Sequence, residues 1–86
     1  MNIVDELRSY DKSKLILGAK RTLKYIKLNK VSKVYIASNT PEEIVSDIEY
    51  YSKLSNTEIK KLDLTNEELR VILKKPFKIS VVSILK

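Results

Sequence analysis

The residues of this chain best suited to chemistry are four cations that follow its only glycine, Gly18. They are Lys20, Arg21, Lys24 and Lys27, and no acidic residue lies between positions 12 and 40. Ammonium and guanidinium groups bind phosphate, and the unpaired N–H groups at the start of a helix add to that attraction. This spacing predicts a surface that holds phosphate groups of a polyanion.

Other kinds of chemistry have little support. Histidine and cysteine are both absent, which removes the commonest general base, the commonest metal ligand and any thiolate. Two acidic pairs remain, Glu42-Glu43 and Glu67-Glu68, and each falls in the first turn of a predicted helix, where acids complement the helix dipole. No nucleophile or glycine-rich phosphate loop accompanies them. We therefore predict that the protein is not an enzyme and that it uses no metal or cofactor.

The net charge of +6 is unevenly distributed. Positions 12–40 carry +8 and positions 69–86 carry +5, whereas positions 1–11 and 41–68 carry −2 and −5. If the two basic segments meet in space, the molecule has a basic face and an acidic face, and such asymmetry favours a polyanionic partner such as nucleic acid. The alternative is a lysine-rich surface that only interacts with water.

The length of 86 residues, 43% of them hydrophobic, predicts one domain over 1–86 with a modest core. The longest apolar run, 79–85, is too short to span a bilayer. The N-terminal residues lack the basic start and long apolar run of a signal peptide. We therefore expect a soluble intracellular protein.

Hydrophobic periodicity predicts the elements that position the basic residues. In chain order they are a helix at 3–9, a strand at 14–17, a helix at 19–29, a strand at 34–37, a helix at 41–54, a strand at 58–62, a helix at 66–73 and a strand at 79–85. This alternation predicts an α/β sandwich with a mainly parallel or mixed sheet and helices on both faces.

Two of the helix starts carry capping signals. Thr40 is predicted to be the N-cap of the helix that begins at Pro41, and Thr65 with Glu68 forms a predicted capping box. The predicted core face of the helix after Pro41 comprises Ile44, Ile48 and Tyr51.

Five runs of the sequence also point to a family. They are Leu15-Ile16-Leu17-Gly18 with Lys24, the run 36–44, the run 47–55, Glu68-Leu69, and Lys75-Pro76-Phe77. Through them the chain resembles the ribosomal L7Ae/L30e/Gadd45 family, whose members bind kink-turn RNA. The tyrosine-containing run 47–55 favours the archaeal L30e branch. The resemblance implies a three-layer α/β/α sandwich with a four-stranded mixed sheet.

The resemblance also implies a function and a set of site residues. It implies a large-subunit ribosomal or other ribonucleoprotein component in the cytoplasm, with neighbouring ribosomal proteins as further partners and no small-molecule substrate. In the family, three loops at one edge of the sheet meet the bent RNA. Here these loops correspond to Gly18 through Lys24, to Asn39, and to the segment from Lys75 through Phe77 to Lys78, which makes an apolar contact with an extruded base.

Departures from the family pattern leave alternatives open. Lys20 occupies the position where the family usually has an asparagine that reads a sheared G·A pair, and Arg70 and Lys74 replace glycines. Lysine is a point charge and reads a purine edge less well than a planar amide. The sequence therefore favours phosphate clamping with altered kink-turn specificity. A protein-interaction module that docks through the acidic helix 41–54 is the alternative.

Single residues also have simpler interpretations. Gly18 could form only a tight turn, and Asn39 could only start the turn before the next helix. Phe77 is as well suited to the core as to stacking on a base.

Overall fold

The computed structural model describes residues 12–86, and the helix predicted at 3–9 lies outside them. The elements, in chain order, are a 3₁₀ turn at Lys12–Lys14, β1 at Leu15–Leu17, α1 at Ala19–Lys27, β2 at Val31–Ile36, α2 at Glu42–Ser55, β3 at Glu58–Lys61, α3 at Asn66–Ile72 and β4 at Val81–Leu85. From β1 onward, the predicted alternation of strands and helices is confirmed.

The four strands form one mixed sheet in the order β1-β4-β2-β3. β4 pairs antiparallel with β1 and with β2, whereas β2 and β3 are parallel. β1, β2 and β3 therefore point the same way, and their carboxyl ends lie beside the start of β4. We call this side of the sheet the loop edge; it consists of Gly18, residues 37–41, residues 62–65 and residues 73–80.

Each face of the sheet has its own apolar core, because neighbouring residues of a strand point to opposite faces. On the face covered by α1 and α2, the buried residues are Ile26, Val31, Val34, Ile36, Val45, Ile48 and Val81. On the opposite face, which α3 covers through Leu69, they are Tyr35, Ala37, Leu62, Leu69, Ile79, Val82 and Ile84. Helices thus lie on both sides of the sheet, and the predicted three-layer α/β/α sandwich is confirmed.

Helix α1 is attached to the sheet by a buried polar link as well as by apolar packing. Thr22 and Ser83 are both completely buried. The Thr22 hydroxyl donates to Ser83 Oγ at 3.1 Å, and the Ser83 hydroxyl donates to the Ile16 carbonyl at 3.4 Å. Buried hydroxyls are costly unless they are paired, so this link favours one position of α1 over β1 and β4.

The three helices end in the same way, although the chain has only one glycine. Asn29, Asn56 and Lys74 have φ values of 58°, 58° and 55°, in the left-handed region that helix ends usually fill with glycine. After each of them, the next N–H donates to the carbonyl five residues earlier, with N···O distances of 3.0, 2.8 and 3.0 Å. This is the Schellman motif, here built on side-chain-bearing residues.

One capping prediction is wrong and the other is confirmed. Pro41, not Thr40, occupies the N-cap position of α2, and no side chain caps that helix. Thr40 instead donates its hydroxyl to the Ala37 carbonyl at 2.8 Å, and the Ser80 carbonyl, directly before β4, is a second acceptor of the same proton at 3.2 Å. At α3, the capping box of Thr65 and Glu68 forms as predicted.

Two strands begin at residues other than those predicted. β2 begins at Val31 rather than at 34. Val31 pairs with Leu85, and a register shift separates this pair from the rest of the β2–β4 pairing. The polar residues that follow Val31 interrupt the apolar pattern, so the sequence did not indicate this start. β4 begins at 81 rather than at 79. The predicted core face of α2 is confirmed at Ile48, which is completely buried, and the buried residues of that helix also include Val45 and Ser52. Ile44 and Tyr51 are partly buried and pack against the same core.

Candidate nucleic-acid interface

Backbone hydrogen bonds join the segments of the loop edge. The Gly18 N–H donates to the Val81 carbonyl at 2.9 Å, and the Ala37 N–H donates to the Ser80 carbonyl at 2.8 Å. On the other side, the Ser38 N–H donates to the Leu64 carbonyl at 2.8 Å. The segments that follow β1, β2 and β3 and the segment that precedes β4 are therefore fixed relative to one another.

Gly18 has a backbone conformation that requires glycine. Its φ of 105° and ψ of 149° fall in a region that residues with a Cβ almost never adopt. Its carbonyl accepts the N–H of Thr22 at 3.1 Å, so the turn leads directly into α1. A Cβ placed there would meet no atom of residues 12–86 within 4 Å. The glycine is therefore required by its φ angle and not by contact with a described neighbour.

The predicted cations of α1 are all exposed. Among residues 12–86, Lys20, Arg21 and Lys24 form no ion pair, whereas Lys61 at the end of β3 contacts Glu49 at 2.9 Å. That carboxylate raises the pKa of Lys61 by accepting a hydrogen bond from it. α1 therefore presents positive charge that the acidic residues of the described chain leave uncompensated.

Lys27 differs from the other α1 cations. It is the last residue of α1, about 12 Å along the helix from Ala19 at 1.5 Å per residue. Its ammonium lies 4.6 Å from the centre of the Tyr51 ring of α2. Because Lys20, Lys24 and Lys27 share one face of a helix, this contact places that basic face on the flank of α1 nearest α2.

The amide of Asn39 is already occupied within the protein. Asn39 Oδ1 accepts the backbone N–H of Asn66 at 2.9 Å, and Asn39 Nδ2 donates to Asn66 Oδ1 at 3.0 Å. Asn66 in turn accepts the Ile79 N–H on its carbonyl at 3.3 Å. Asn39 thus ties the segment after β2 to the start of α3 and, through it, to the segment before β4. One N–H of its amide stays available to a ligand.

The segment between α3 and β4 forms a second basic region, which we call the basic loop, residues 74–78. Lys74, Lys75 and Lys78 are exposed cations within it. Phe77 is 51% exposed, so the interpretation of Phe77 as a core residue is wrong. The loop lies at the same edge of the sheet as Gly18, because β4 begins where β1 ends.

Sequence reasoning missed the contacts that hold the basic loop. The carboxylate of Glu67 accepts the Nε–H of Arg70 at 2.9 Å and also pairs with its Nη2. The pKa of Glu67 is lowered, chiefly by this hydrogen bond, and the same bond raises the pKa of Arg70. Asn66 was missed as well. The i,i+3 spacing of Glu67 and Arg70 was a usable signal for the first contact, but nothing local links Asn39 to Asn66.

The predicted site residues therefore fall into two groups. Those at the loop edge itself are Gly18, Asn39, Lys75, Phe77 and Lys78, whereas Lys20, Arg21, Lys24 and Lys27 extend from that edge along α1.

Within residues 12–86, no helix combines the length and hydrophobicity needed to cross a membrane.

Comparison with known proteins decides the family. The family model described as ribosomal protein L7Ae/L30e/S12e/Gadd45 matches residues 1–86. The chain belongs to this family. Large ribosomal subunit protein eL30 of Saccharolobus solfataricus is 43% identical over 81 residues, which cover 93% of this chain and 75% of that protein. The eL30 protein of Methanocaldococcus jannaschii is 37% identical over 75 residues, 87% of this chain and 68% of that one.

Two solved structures have the same fold as this chain. A 15.5 kD RNA-binding protein of Giardia lamblia superposes with a TM-score of 0.77 and 23% identity, over 86% of this chain and 62% of that chain. A protein of unknown function from Bacillus halodurans also superposes with a TM-score of 0.77, at 13% identity, over 98% of this chain and 78% of that one. At these identities, the likeness supports the fold alone.

Proposed function

We propose that this protein is an RNA-binding component of a large ribosomal subunit, or of a related ribonucleoprotein, that binds kink-turn or similarly bent RNA with its single domain. The observation that carries the proposal is the placement of two basic regions. The exposed cations of α1 and the basic loop 74–78 flank the same Gly18 turn. The eL30 names of the similar archaeal proteins support a ribosomal setting, and hence a cytoplasmic one.

In the proposed mechanism, α1 binds phosphates and the basic loop contacts both a base and phosphates. Lys20, Arg21 and Lys24 bind successive phosphates beside the Gly18 turn, and Lys27 extends the contact along α1. Phe77 offers an exposed ring for an extruded base, between the phosphate-binding cations Lys75 and Lys78. In this mechanism, Asn39 holds the loops in register and presents its one remaining amide N–H to the RNA.

A direct test is a binding titration with three RNAs at two salt concentrations. The RNAs are a standard kink-turn, the same RNA with its sheared G·A pairs replaced, and a plain duplex. Preference for the intact kink-turn supports specific recognition despite Lys20. Equal and salt-sensitive binding to all three indicates clamping of the RNA backbone alone. Binding that does not change with salt refutes phosphate clamping.

A second candidate function is docking on a protein, without specific RNA readout. It is favoured by the surface of α2, where Tyr50 is 61% and Leu54 is 70% exposed. Absence of binding to all three RNAs, together with stoichiometric capture of a ribosomal protein, would favour this function. Substituting Leu54 with Ser would then weaken the capture and leave the fold intact.

A further inference from the structure

Arg70 makes two hydrogen bonds with Lys75, near the start of the basic loop. The Lys75 N–H donates to the Arg70 carbonyl at 3.0 Å. The Arg70 Nη1 group donates to the Lys75 carbonyl at 3.4 Å. Both polar backbone groups of Lys75 are therefore attached to Arg70, directly after the left-handed residue Lys74.

Glu67 fixes the guanidinium that makes the second of these contacts. Its Oε1 atom accepts hydrogen bonds from both Nε and Nη2 of Arg70. Glu67 lies one turn earlier in the same helix, and its backbone belongs to the first turn that the Thr65–Glu68 capping box holds. The chain of contacts thus runs from the capped start of α3, through Glu67 and Arg70, to Lys75.

These contacts use the guanidinium internally. Of its five N–H groups, two donate to Glu67 and one to Lys75, and the carboxylate compensates its charge. The side chain of Arg70 is 33% exposed. The neighbouring cations Lys74, Lys75 and Lys78 are exposed and better placed to reach phosphate.

We propose that Arg70 is a positioning residue, which Glu67 holds and which in turn holds the basic loop 74–78 in the conformation that binds RNA. The proposal rests on the proposed function for its RNA-binding part. It assigns Arg70 to ordering Lys75, Phe77 and Lys78 and not to a phosphate contact of its own.

The test compares Glu67→Gln with Arg70→Met in the kink-turn titration. By charge alone, Glu67→Gln makes the protein more positive and tightens RNA binding. If Glu67 acts by holding Arg70, the same substitution weakens binding by a factor of about 2–5, as expected for loss of an exposed ion pair. Arg70→Met weakens binding at least as much, because it also removes a positive charge, and the double variant is no weaker than Arg70→Met.

Two substitutions control for charge. Glu43→Gln removes an exposed carboxylate of α2 near the loop edge, and we expect unchanged or tighter binding. Lys53→Met removes a cation in the last turn of α2, and we expect a smaller loss than for Arg70→Met. If Glu67→Gln binds as tightly as the wild type or more tightly, while Arg70→Met binds more weakly, Arg70 contacts RNA directly and the proposal is overturned.

A second measurement needs no RNA. Amide hydrogen exchange of Lys75 should speed up in both variants, while the buried Val34 amide of β2 keeps its protection and shows that the variants are folded. Unchanged exchange at Lys75 overturns the proposal, whatever the RNA result. If exchange at Lys75 speeds up in the variants but the wild type binds none of the RNAs, the ordering of the loop by Arg70 is supported and the proposed function is overturned instead.

Discussion

Replacing Lys74 with glycine should stabilise the fold. Lys74 is the left-handed residue of a Schellman motif, with φ at 55°, and it is neither glycine nor asparagine. A left-handed conformation costs a residue with a Cβ roughly 1–2 kcal/mol. Glycine also makes the unfolded chain more flexible, which lowers the free energy of unfolding by about 0.4–1 kcal/mol and so offsets part of the gain. The net stabilisation of Lys74→Gly is therefore about 0.5–1 kcal/mol.

The assay is urea and thermal unfolding followed by circular dichroism. For a domain of this size, the expected gain corresponds to a rise in Tm of about 2–8 °C. The matched control is Lys74→Ala, which removes the same charge and the same long side chain but keeps the Cβ. We expect the alanine variant to be no more stable than the wild type. Equal midpoints for the glycine and alanine variants would show that the left-handed backbone is not the source of the strain.

Three further predictions concern single residues at the loop edge or in α3. Gly18→Ala should destabilise the fold by about 1–3 kcal/mol in urea unfolding, because φ is 105° there, although the added methyl group meets no neighbour among the described residues. Phe77→Ala should weaken kink-turn binding by about 1–3 kcal/mol and leave the urea midpoint unchanged, since the ring is exposed; a large loss of stability would instead show that the ring packs in the core. The lowered pKa of Glu67 means that its stabilising effect is present above the ordinary carboxyl pKa and is lost as the pH falls through the lowered value. Urea midpoints at pH 7 and pH 3 should therefore differ less for Glu67→Gln than for the wild type, and equal differences would contradict this effect.

The fold could be predicted because its signals are local. The alternation of periodicities places each strand and helix within a few residues, and the Thr65–Glu68 capping box lies within a single turn. Thr40 was misassigned because the same side chain has a competing acceptor, the Ser80 carbonyl, which is 40 residues away and becomes available only when β4 pairs with β2.

The candidate site was less predictable, for a similar reason. The cations of α1 follow from residue type and helical spacing, so their common exposed face could be anticipated. The occupied amide of Asn39 could not, because it depends on Asn66, 27 residues later. The exposure of Phe77 also needed the tertiary structure, because an isolated aromatic residue beside a strand is compatible with either burial or exposure.

The position of β4 has a consequence for how this chain folds during synthesis. β4 follows the other described strands in the sequence, yet it lies between β1 and β2, and it is the strand through which β1 joins the described sheet. Before residues 81–85 have left the ribosome, no strand pairing among the described residues joins β1 to the parallel pair β2–β3. Closing the sheet requires contacts such as Leu15 with Ile84 that span most of the described sequence, and contacts of this kind form slowly. The growing chain should therefore stay without a complete core, and dependent on protection from aggregation, until β4 emerges.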